Sequence, residues 1–362
     1  MVKWLEDLNS FARRDSIYVL MFSFIVLFNL ILASASTPQE KAKTKEVYGS
    51  KALLEKRDSI NKTDELEMSR KDIENILEKR PGIFRVLNLT SLAFILFVIL
   101  GILINVFVIS VKLEKGVFDI ATYRPPPAAW SLGDVARVVI LFFFFSYIIV
   151  ISESFLANLV PLFKWGNFRT MLNSSIMDIL TAVFIVYFIK YKYGQRIISL
   201  GLTIKNIFRN ISYGLIAYIA CVPIFLAVTF FVFLVVKVTG YVPQKQYVVE
   251  MFLKEENPTL LIYSSVFASI LGPIVEEIFF RGFMYNAVKK LTGVFWAVVL
   301  VSAVFAALHT NVVGFLPIMV LGLVLTYMYE KTGSLIPSIT IHIAHNAAMV
   351  FLVFLVKEIK AI

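Results

Sequence analysis

Long apolar stretches alternate with shorter polar ones along most of this chain. Nine of the stretches approach the length of about 20 residues that a helix needs to cross the hydrocarbon core of a bilayer. No repeat of fixed period relates them. The pattern therefore predicts an all-α fold, a polytopic transmembrane helical bundle of about nine spans. The predicted spans are 17–34, 87–111, 136–157, 174–190, 211–236, 260–282, 293–309, 312–329 and 335–356.

One long polar segment interrupts this pattern between the first two spans. Residues 37–83 are rich in charge, and their leucines and isoleucines recur at near-helical spacing until Pro81-Gly82. We expect a small charged helical extramembrane segment here, a solvated extension rather than a partner-binding module. The predicted organisation has four parts: an N-terminal signal-anchor span at 1–36, the charged segment at 37–83, N-terminal transmembrane helices at 84–259 and a C-terminal transmembrane core at 260–357.

The first span has two interpretations. It follows Lys3, Arg13 and Arg14, and it ends in Ala33-Ser34-Ala35, which is similar to a signal-peptidase site. A cleaved signal peptide and a retained signal anchor are both compatible with these features. The long polar region before the span, and the length of the span itself, favour the retained anchor.

Composition agrees with a membrane protein. The chain is 59% hydrophobic and 17% charged, whereas soluble domains average about 45–50% and about 25%. The net charge of +10 is compatible with nucleic-acid binding, but the basic residues cluster beside the spans, as the positive-inside rule expects. We therefore expect membrane lipid and no nucleic acid as partner. The single cysteine, Cys221, excludes a disulfide framework.

The charges of the loops predict the orientation in the membrane. Residues 190–209 contain five basic residues and no acidic one, whereas Glu250, Glu255 and Glu256 occur together in a later loop. The positive-inside rule places the basic loop and the N-terminus in the cytoplasm and the acidic loop outside. We expect a multi-pass protein of a bacterial or archaeal cell membrane.

Three of the last spans contain charged or strongly polar side chains within otherwise apolar sequence. An ionised group at the centre of a bilayer costs roughly 2.5 kcal/mol or more, so such groups mark functional sites by default. All three histidines of the chain belong to this set. Its members are Glu276, Glu277, Arg281, His309, His342, His345 and Asn346.

The two adjacent glutamates are expected to differ in role. Glu277 and Arg281 are four residues apart, so they share one helical face and can pair. Glu276 is rotated by about 100° from Glu277, which leaves it freer to bind a water molecule and accept its proton. The alternative is a charge network that only braces the helix. The nearby Gly272-Pro273 is expected to interrupt the helix and free a backbone carbonyl.

The two other polar spans supply imidazoles and an amide. Phe305 and His309 share a helical face, and His309 beside Glu276 could hold the same water, although a lone histidine near a helix end is often structural. His342 and Asn346 lie one above the other on the last span, and both can donate to a developing oxyanion. His345 has no assigned role and is expected to be a hydrogen-bonded structural histidine.

A metal site and two further acids are the remaining candidates. Two histidines and a glutamate can form a zinc site, but His-Glu-x-x-His is absent and the histidines are divided between two spans. We expect no cofactor and no metal, with zinc as the alternative. Glu153 and Asp178 are flanked by serine and asparagine, which predicts helix ends and structural roles.

These residues occur in ordered motifs that resemble the CAAX protease and bacteriocin-processing family, the Abi or type II CAAX prenyl endopeptidase group. The resemblance covers about residues 260–352 and includes a similar lead-in at 329–335. The motifs are Glu276-Glu277-x-x-x-Arg281-Gly282, Phe305-x-x-x-His309 and His342-x-x-x-Asn346. None of the family's motif residues is missing, whereas the first span and residues 37–83 are not part of the shared region.

The resemblance implies an intramembrane endopeptidase that acts on a peptide or protein substrate in the membrane. Family members cleave near the C-terminus of prenylated proteins in eukaryotes, or other peptides in bacteria. By the family's pattern, Glu276 and His309 would activate water, and His342 and Asn346 would form the oxyanion hole. Glu277, Arg281 and Phe305 would support the site. The family was long described as metalloproteases, but a metal-free glutamate mechanism fits these residues better.

Two functions of other classes stay open. Some relatives act as scaffolds or immunity proteins, so the chain could be a catalytically silent membrane scaffold. Carboxylate–histidine chains also form proton relays, so a proton-coupled transporter is the other alternative. Transporters commonly show inverted repeats or broken helices in both halves. The polar motifs of this chain occur in one half only, which favours the enzyme.

Overall fold

The computed structural model of the chain describes residues 15–35, 81–115, 119–243, 246–309 and 312–360. Within these ranges every regular element is helical and none is a strand, so the predicted all-α class is confirmed. Most of the charged segment predicted at 37–83, and the basic residues before the first span, lie outside the described residues. The prediction of a solvated helical extension therefore stays a prediction.

The described part of the chain contains eleven α-helices. They are α1 (Ser16–Ala35), α2 (Pro81–Lys115), α3 (Leu132–Leu156), α4 (Gly166–Val186), α5 (Ile207–Thr239), α6 (Tyr247–Lys254), α7 (Pro258–Val266), α8 (Gly272–Glu277), α9 (Asn286–Leu308), α10 (Val312–Thr332) and α11 (Leu335–Lys360). Short 3₁₀ turns occur at Pro161–Lys164 and Ile197–Leu200, and π-helical turns at Tyr187–Lys192, Phe267–Leu271 and Ile278–Tyr285.

Seven helical segments in the described ranges are long and apolar enough to cross a membrane, which makes the chain an integral multi-pass membrane protein. Helices α7 to α9 form one run, Pro258–Leu308, that contains two of the predicted spans. Gly293, with φ of 77°, breaks the helical path of this run where the second of them was expected to begin. The N-terminal helix contributes a shorter apolar stretch, Ser16–Ile31.

Helix starts follow local capping chemistry. Ser131 and Asp134 form a capping box at the start of α3, in which the Asp134 carboxylate accepts the backbone N–H of Ser131 at 2.9 Å. Asn257 caps α7, whose first residue is Pro258. Helix α2 is described from Pro81, the first described residue after position 35, so its first turn overlaps the end of the segment predicted as 37–83.

The C-terminal helices pack closely because small residues face each other. A Cβ on Gly322 of α10 would lie 3.0 Å from Cβ of Ser302 on α9. A Cβ on Gly214 of α5 would lie 2.7 Å from Cβ of Thr340 on α11. These approaches bring α9, α10, α11 and α5 into one tightly packed unit. Fully buried Phe283, Tyr285 and Phe305 fill its interior.

A tight turn fixes the start of α11. Gly333 has a φ of 69°, and a Cβ there would lie 2.0 Å from the carbonyl oxygen of Tyr123. The N–H groups of Thr122 and Tyr123 both donate to the carbonyl of Thr332 at 3.0 Å. The extended segment before α3 therefore holds this turn in place, and with it the height of every residue on α11.

An N-terminal ion-pair network (Asp15, Asp134, Arg137 and Lys192) joins the residue before α1, helix α3 and the π-helical turn that follows α4. Arg137 donates to both carboxylate oxygens of Asp15 at 2.9 Å and to Asp134 at 2.6 Å. Asp134 is fully buried and also accepts from Lys192 and Tyr193.

A second contact docks α1 on α3 further along the helix. Nδ2 of Asn29 on α1 donates to the hydroxyl of Tyr147 on α3 at 2.6 Å. Specific side-chain contacts therefore dock α1 on α3, and whether α1 is cleaved or retained stays a prediction.

Candidate active site

The segment that carries the two glutamates is an unusual helix. Helix α8 contains Glu276 and Glu277 and lies between two π-helical turns, Phe267–Leu271 and Ile278–Tyr285. The helix continues through Gly272-Pro273, where the sequence had predicted an interruption, because the first π turn accommodates the proline. Such π turns occur often at functional sites because the extra residue per turn rotates the following side chains.

Pro273 leaves a carbonyl free, and Asn346 satisfies it. Proline has no N–H, and in π-helical pairing its missing donor would have served the carbonyl five residues earlier, that of Ala268. The carbonyl oxygen of Ala268 accepts instead from Nδ2 of Asn346 on α11, at 2.9 Å. The amide of Asn346 has two hydrogens. One is used in this contact, and the second is available to another acceptor.

Glu277 lies in a fully buried ion pair. Its Oε1 accepts from Nη1 of Arg281 at 2.7 Å and from Nδ1 of His342 at 2.8 Å. Neither Glu277 nor Arg281 has any exposed side-chain surface. Arg281 also donates to the hydroxyl of Thr326 and the carbonyl of Gly322, both at 3.3 Å. The ion pair predicted from the four-residue spacing is therefore present, and it is tied to α10 and α11.

The ring of Phe305 lies at the centre of the site. The Arg281 guanidinium carbon is 4.4 Å from the ring centroid, within the range of a cation–π contact. The imidazoles of His309 and His342 approach the same ring, with centroid distances of 4.8 Å and 5.6 Å. Phe305 is fully buried. It thus packs against side chains of three helical segments and fixes their spacing.

Glu276 differs from its neighbour in exposure and in partners. Its side chain is 36% exposed, whereas that of Glu277 is fully buried. Its Oε2 lies 3.7 Å from Nε2 of His342, which is too long for a hydrogen bond. Among the described residues no hydrogen-bond donor reaches this oxygen. Glu276, Glu277, Arg281 and His342 form a C-terminal network in which Glu276 is the member without a close partner.

The contacts of His342 determine which of its nitrogens carries hydrogen. A carboxylate only accepts hydrogen bonds, so Nδ1 of His342 must donate to Glu277. Its Nε2, which points to Glu276, therefore has a lone pair in the neutral ring and a hydrogen in the imidazolium. His342 can donate to a third group through Nε2 only when the ring is protonated.

His309 is exposed at the end of α9. Its Nδ1 lies 2.7 Å from the carbonyl oxygen of Phe305, so Nδ1 donates and Nε2 is left as an acceptor in the neutral ring. No hydrogen bond or ion pair joins His309 to Glu276 within the described ranges. His309 contacts the rest of the site through the ring and the carbonyl of Phe305. A bridging water is needed for His309 to act together with Glu276.

His345 faces away from the carboxylates. Its ring packs against Phe225 and Tyr218 of α5, with centroid distances of 5.5 Å and 6.1 Å. Its Nδ1 is buried without a hydrogen-bond partner in the described part of the chain. The expectation of a hydrogen-bonded structural histidine is therefore wrong at this nitrogen, because apolar and aromatic groups surround it.

The two acids expected at helix ends have different positions. Glu153 lies in the last turn of α3, as predicted, and accepts from Nδ2 of Asn173 at 2.8 Å. The same expectation is wrong for Asp178, which lies in the middle of α4. Asp178 is half-buried, and its Oδ2 is 3.8 Å from the position of a Cβ on Gly272, at the start of α8. This proximity is not predictable from the sequence pattern, because the pairing of α4 with α8 is a tertiary contact.

The possible metal ligands of the site are the imidazoles and carboxylates of the motifs. No group of three or more His, Cys, Asp or Glu side chains within the described ranges is arranged to hold a metal ion. The Oε1 of Glu277 and the Nδ1 of His342 are paired with each other. Neither observation measures metal dependence, so the expectation of a metal-free site stays a prediction.

Comparisons with known proteins concern this same region. Residues 258–348 match the model of a family described as type II CAAX prenyl endopeptidase Rce1-like. The C-terminal helices resemble the Rce1-like family. The matched residues contain all three motifs of the site, so the resemblance inferred from those motifs is confirmed for this part of the chain.

The chain is also similar to a curated protein. The chain is 30% identical over 95 residues to a Bacillus subtilis (strain 168) protein named "Putative membrane peptidase YdiL". The alignment covers 26% of this chain and 37% of that relative, so it spans well under half of either protein. No solved structure matches the chain significantly.

Proposed function

We propose that the chain is an intramembrane endopeptidase that hydrolyses peptide bonds of membrane-associated substrates. The observation that carries this proposal is the unequal environment of two adjacent acids. Glu277 is buried and its Oε1 accepts from both Arg281 and His342, whereas Glu276 is partly exposed and neither of its oxygens accepts a hydrogen bond in the described part of the chain. A carboxylate with a free oxygen beside an imidazole can bind a water molecule and act as a general base.

The proposed reaction begins at Glu276. Its carboxylate accepts a proton from a bound water while the water oxygen attacks the carbonyl carbon of the scissile bond. The Nε2 of His309, left as an acceptor by the Nδ1 contact, orients the same water. When the tetrahedral intermediate collapses, the C–N bond breaks and the leaving amine takes the proton from Glu276. The products are a new C-terminal carboxyl group and a free amine.

His342 and Asn346 are proposed to stabilise the oxyanion from α11. Asn346 has a second amide hydrogen besides the one donated to Ala268. His342 donates through Nε2 in its imidazolium form. Two carboxylates, one guanidinium and one imidazolium sum to zero, and a neutral cluster costs less to bury than an unbalanced one. Each oxyanion donor in a hydrolase is worth about 3–4 kcal/mol in the transition state.

The substrate class is proposed from the comparisons. The Rce1-like match over residues 258–348 supports a CAAX-type substrate, a peptide cleaved near the C-terminus of a prenylated protein. The name of the Bacillus subtilis relative supports a membrane peptidase without specifying a prenyl group. We also propose a cytoplasmic N-terminus, because the basic loop at 190–209 belongs on that side.

The function is tested with the full-length protein reconstituted in liposomes. A farnesylated CAAX-type peptide and the same peptide without the lipid are incubated with the wild type and with Glu276→Gln, and the fragments are identified by mass spectrometry. Glu256→Gln, an exposed acid outside the site, is the matched control. We expect cleavage by the wild type and the control, and at least about a 100-fold loss in Glu276→Gln.

A search for natural substrates complements this assay. Membrane peptides are compared by proteomics in cells that produce the wild type or Glu276→Ala. An endopeptidase leaves uncleaved substrate in the variant and its fragments in the wild type. Identical peptide sets, together with no cleavage of either synthetic peptide, would contradict the proposal and favour a silent scaffold.

A further inference from the structure

Helix α4 carries an acid that the proposed reaction does not use. Asp178 lies in the middle of a helix that crosses the membrane, and it is half-buried. Within the described ranges it has no hydrogen bond and no ion pair. An acid without a cation at membrane depth is costly, and such residues are functional by default.

The position of Asp178 is fixed by a glycine of α8. Helix α4 packs against α8, and Oδ2 of Asp178 lies 3.8 Å from the position of a Cβ on Gly272. Gly272 and Glu276 are four residues apart in one helical segment, so they share a face, with about 5–6 Å between Cβ positions. Because residue 272 is glycine, its side chain does not separate the two acids. Asp178 therefore faces the side of α8 that carries Glu276, and no side chain at residue 272 stands between the two carboxyls.

The nearby cation is already paired with another acid. Arg281 is fully buried and donates to Glu277, as does Nδ1 of His342. The Nε2 of His342 reaches within 3.7 Å of Glu276 and makes no contact with Asp178. The carboxyls of Asp178, Glu276 and Glu277 are three acids facing two cations, Arg281 and an imidazolium of His342. One proton shared by Asp178 and Glu276 therefore leaves the site neutral, as in other facing carboxyl pairs.

We propose that Asp178 is the proton-sharing partner of Glu276, and that the carboxyl pair handles the protons of the reaction as a unit. The inference rests on the proposed function. In the resting site the pair holds one proton, which we place on Asp178 because Nε2 of His342 lies beside Glu276 and not beside Asp178. Glu276 accepts a second proton from the attacking water as its oxygen bonds to the carbonyl carbon. One proton then passes from Glu276 to the leaving amine as the C–N bond breaks, and the pair returns to one proton.

Infrared titration of the carboxyl groups tests the pair without any need for activity. The protein is reconstituted, and the carboxylic C=O band is followed with pH in the wild type, Asp178→Asn and Glu276→Gln. Coupled sites titrate as a pair. We expect each single variant to lower the upper titration midpoint by at least one pH unit, because the remaining acid no longer faces a second negative charge. An unchanged midpoint in both variants would overturn the proposal.

Kinetics then show whether the pair serves catalysis. Asp178→Asn should lower kcat at least about tenfold with little change in KM, while Glu153→Gln, the same carboxyl-to-amide change on α3, should leave kcat unchanged. Asp178→Glu, which keeps an acid at this position, should retain the upper midpoint and part of the activity, and it replaces the amide variant if that one does not fold. Coupled titration with normal kcat in Asp178→Asn would overturn the catalytic part. A wild type that shows coupled titration but cleaves no peptide would instead refute the proposed function.

Discussion

The two buried charge networks of this protein differ in how completely their charges are paired. In the N-terminal network, Arg137 binds both Asp15 and Asp134, and Asp134 also accepts from Lys192. In the C-terminal network, Arg281 and His342 both bind Oε1 of Glu277, while neither oxygen of Glu276 accepts a hydrogen bond in the described part of the chain.

This difference separates a structural network from a reactive one. Breaking a buried ion pair leaves an uncompensated charge, so complete pairing makes a network rigid and chemically silent. A carboxylate that keeps a free oxygen beside an imidazole can still bind water and move a proton. Both networks lie in spans or at their ends, so membrane depth alone does not distinguish them. The two networks are distinguished by Glu276, the acid that accepts no hydrogen bond.

The largest effect on kcat is expected from Asn346, which donates to the Ala268 carbonyl and is proposed to stabilise the oxyanion. Asn346→Ala should lower kcat about 10²- to 10³-fold with little change in KM, because one oxyanion donor is lost. Asn346→Asp should be no better, because a carboxylate faces both the Ala268 carbonyl and the oxyanion. A rise in KM alone would make Asn346 a substrate-binding residue and contradict the oxyanion assignment.

A second substitution separates the two roles of Asn346. Pro273→Ala restores a backbone N–H that can donate to the Ala268 carbonyl, the acceptor now served by Asn346. In the double variant with Asn346→Ala, we expect the melting temperature to recover while kcat stays low. Recovery of kcat as well would show that Asn346 only satisfies the backbone.

The next effect is on stability and concerns the paired half of the C-terminal network. Arg281→Ala leaves Glu277 buried without its main cation and should lower the free energy of unfolding by about 3–5 kcal/mol. Arg281→Lys keeps the charge and should lose less. Thermal unfolding in detergent measures both. Loss of activity with unchanged stability in Arg281→Ala would indicate a direct catalytic role.

A smaller effect is expected in the N-terminal network. Arg137→Ala removes the partner of Asp15 but leaves Lys192 and Tyr193 on Asp134, so the loss in unfolding free energy should be about 1–3 kcal/mol. The kcat of the folded fraction should not change, because this network is complete and remote from the motifs. A fall in kcat per folded molecule would remove the contrast between the networks.

No effect is expected from removal of metal. A site built from one activated carboxylate and imidazoles needs no ion, so cleavage should survive exhaustive chelation. The measurement is activity alongside metal content in the purified protein. Stoichiometric zinc that is lost together with activity, and that restores activity when added alone, would establish a metallohydrolase instead.

The sequence predicted the features that depend on local patterns. Hydropathy located the helices, because a span must be apolar along its whole length. Helical spacing predicted the Glu277–Arg281 pair and the contact between Phe305 and His309, since both pairs lie four residues apart. The unequal roles of Glu276 and Glu277 followed from the rotation between adjacent residues.

The contacts that the sequence missed all join distant parts of the chain. Asn346 donates to a carbonyl 78 positions away, and Arg137 binds an aspartate 122 positions away. The position of Asp178 against α8 depends on how two helices pack. No periodicity within a single span encodes these pairings. The freed carbonyl behind Pro273 was predictable, but its donor was not.

The most direct test of the account compares the same substitution at two adjacent residues. Glu276→Gln and Glu277→Gln are purified in parallel, and kcat per folded molecule and melting temperature are measured for each. We predict that Glu276→Gln lowers kcat at least about 100-fold at an unchanged melting temperature, whereas Glu277→Gln lowers the melting temperature and retains the higher kcat. Near-normal cleavage by Glu276→Gln, or an inactive but fully stable Glu277→Gln, would contradict the assignment of the two acids.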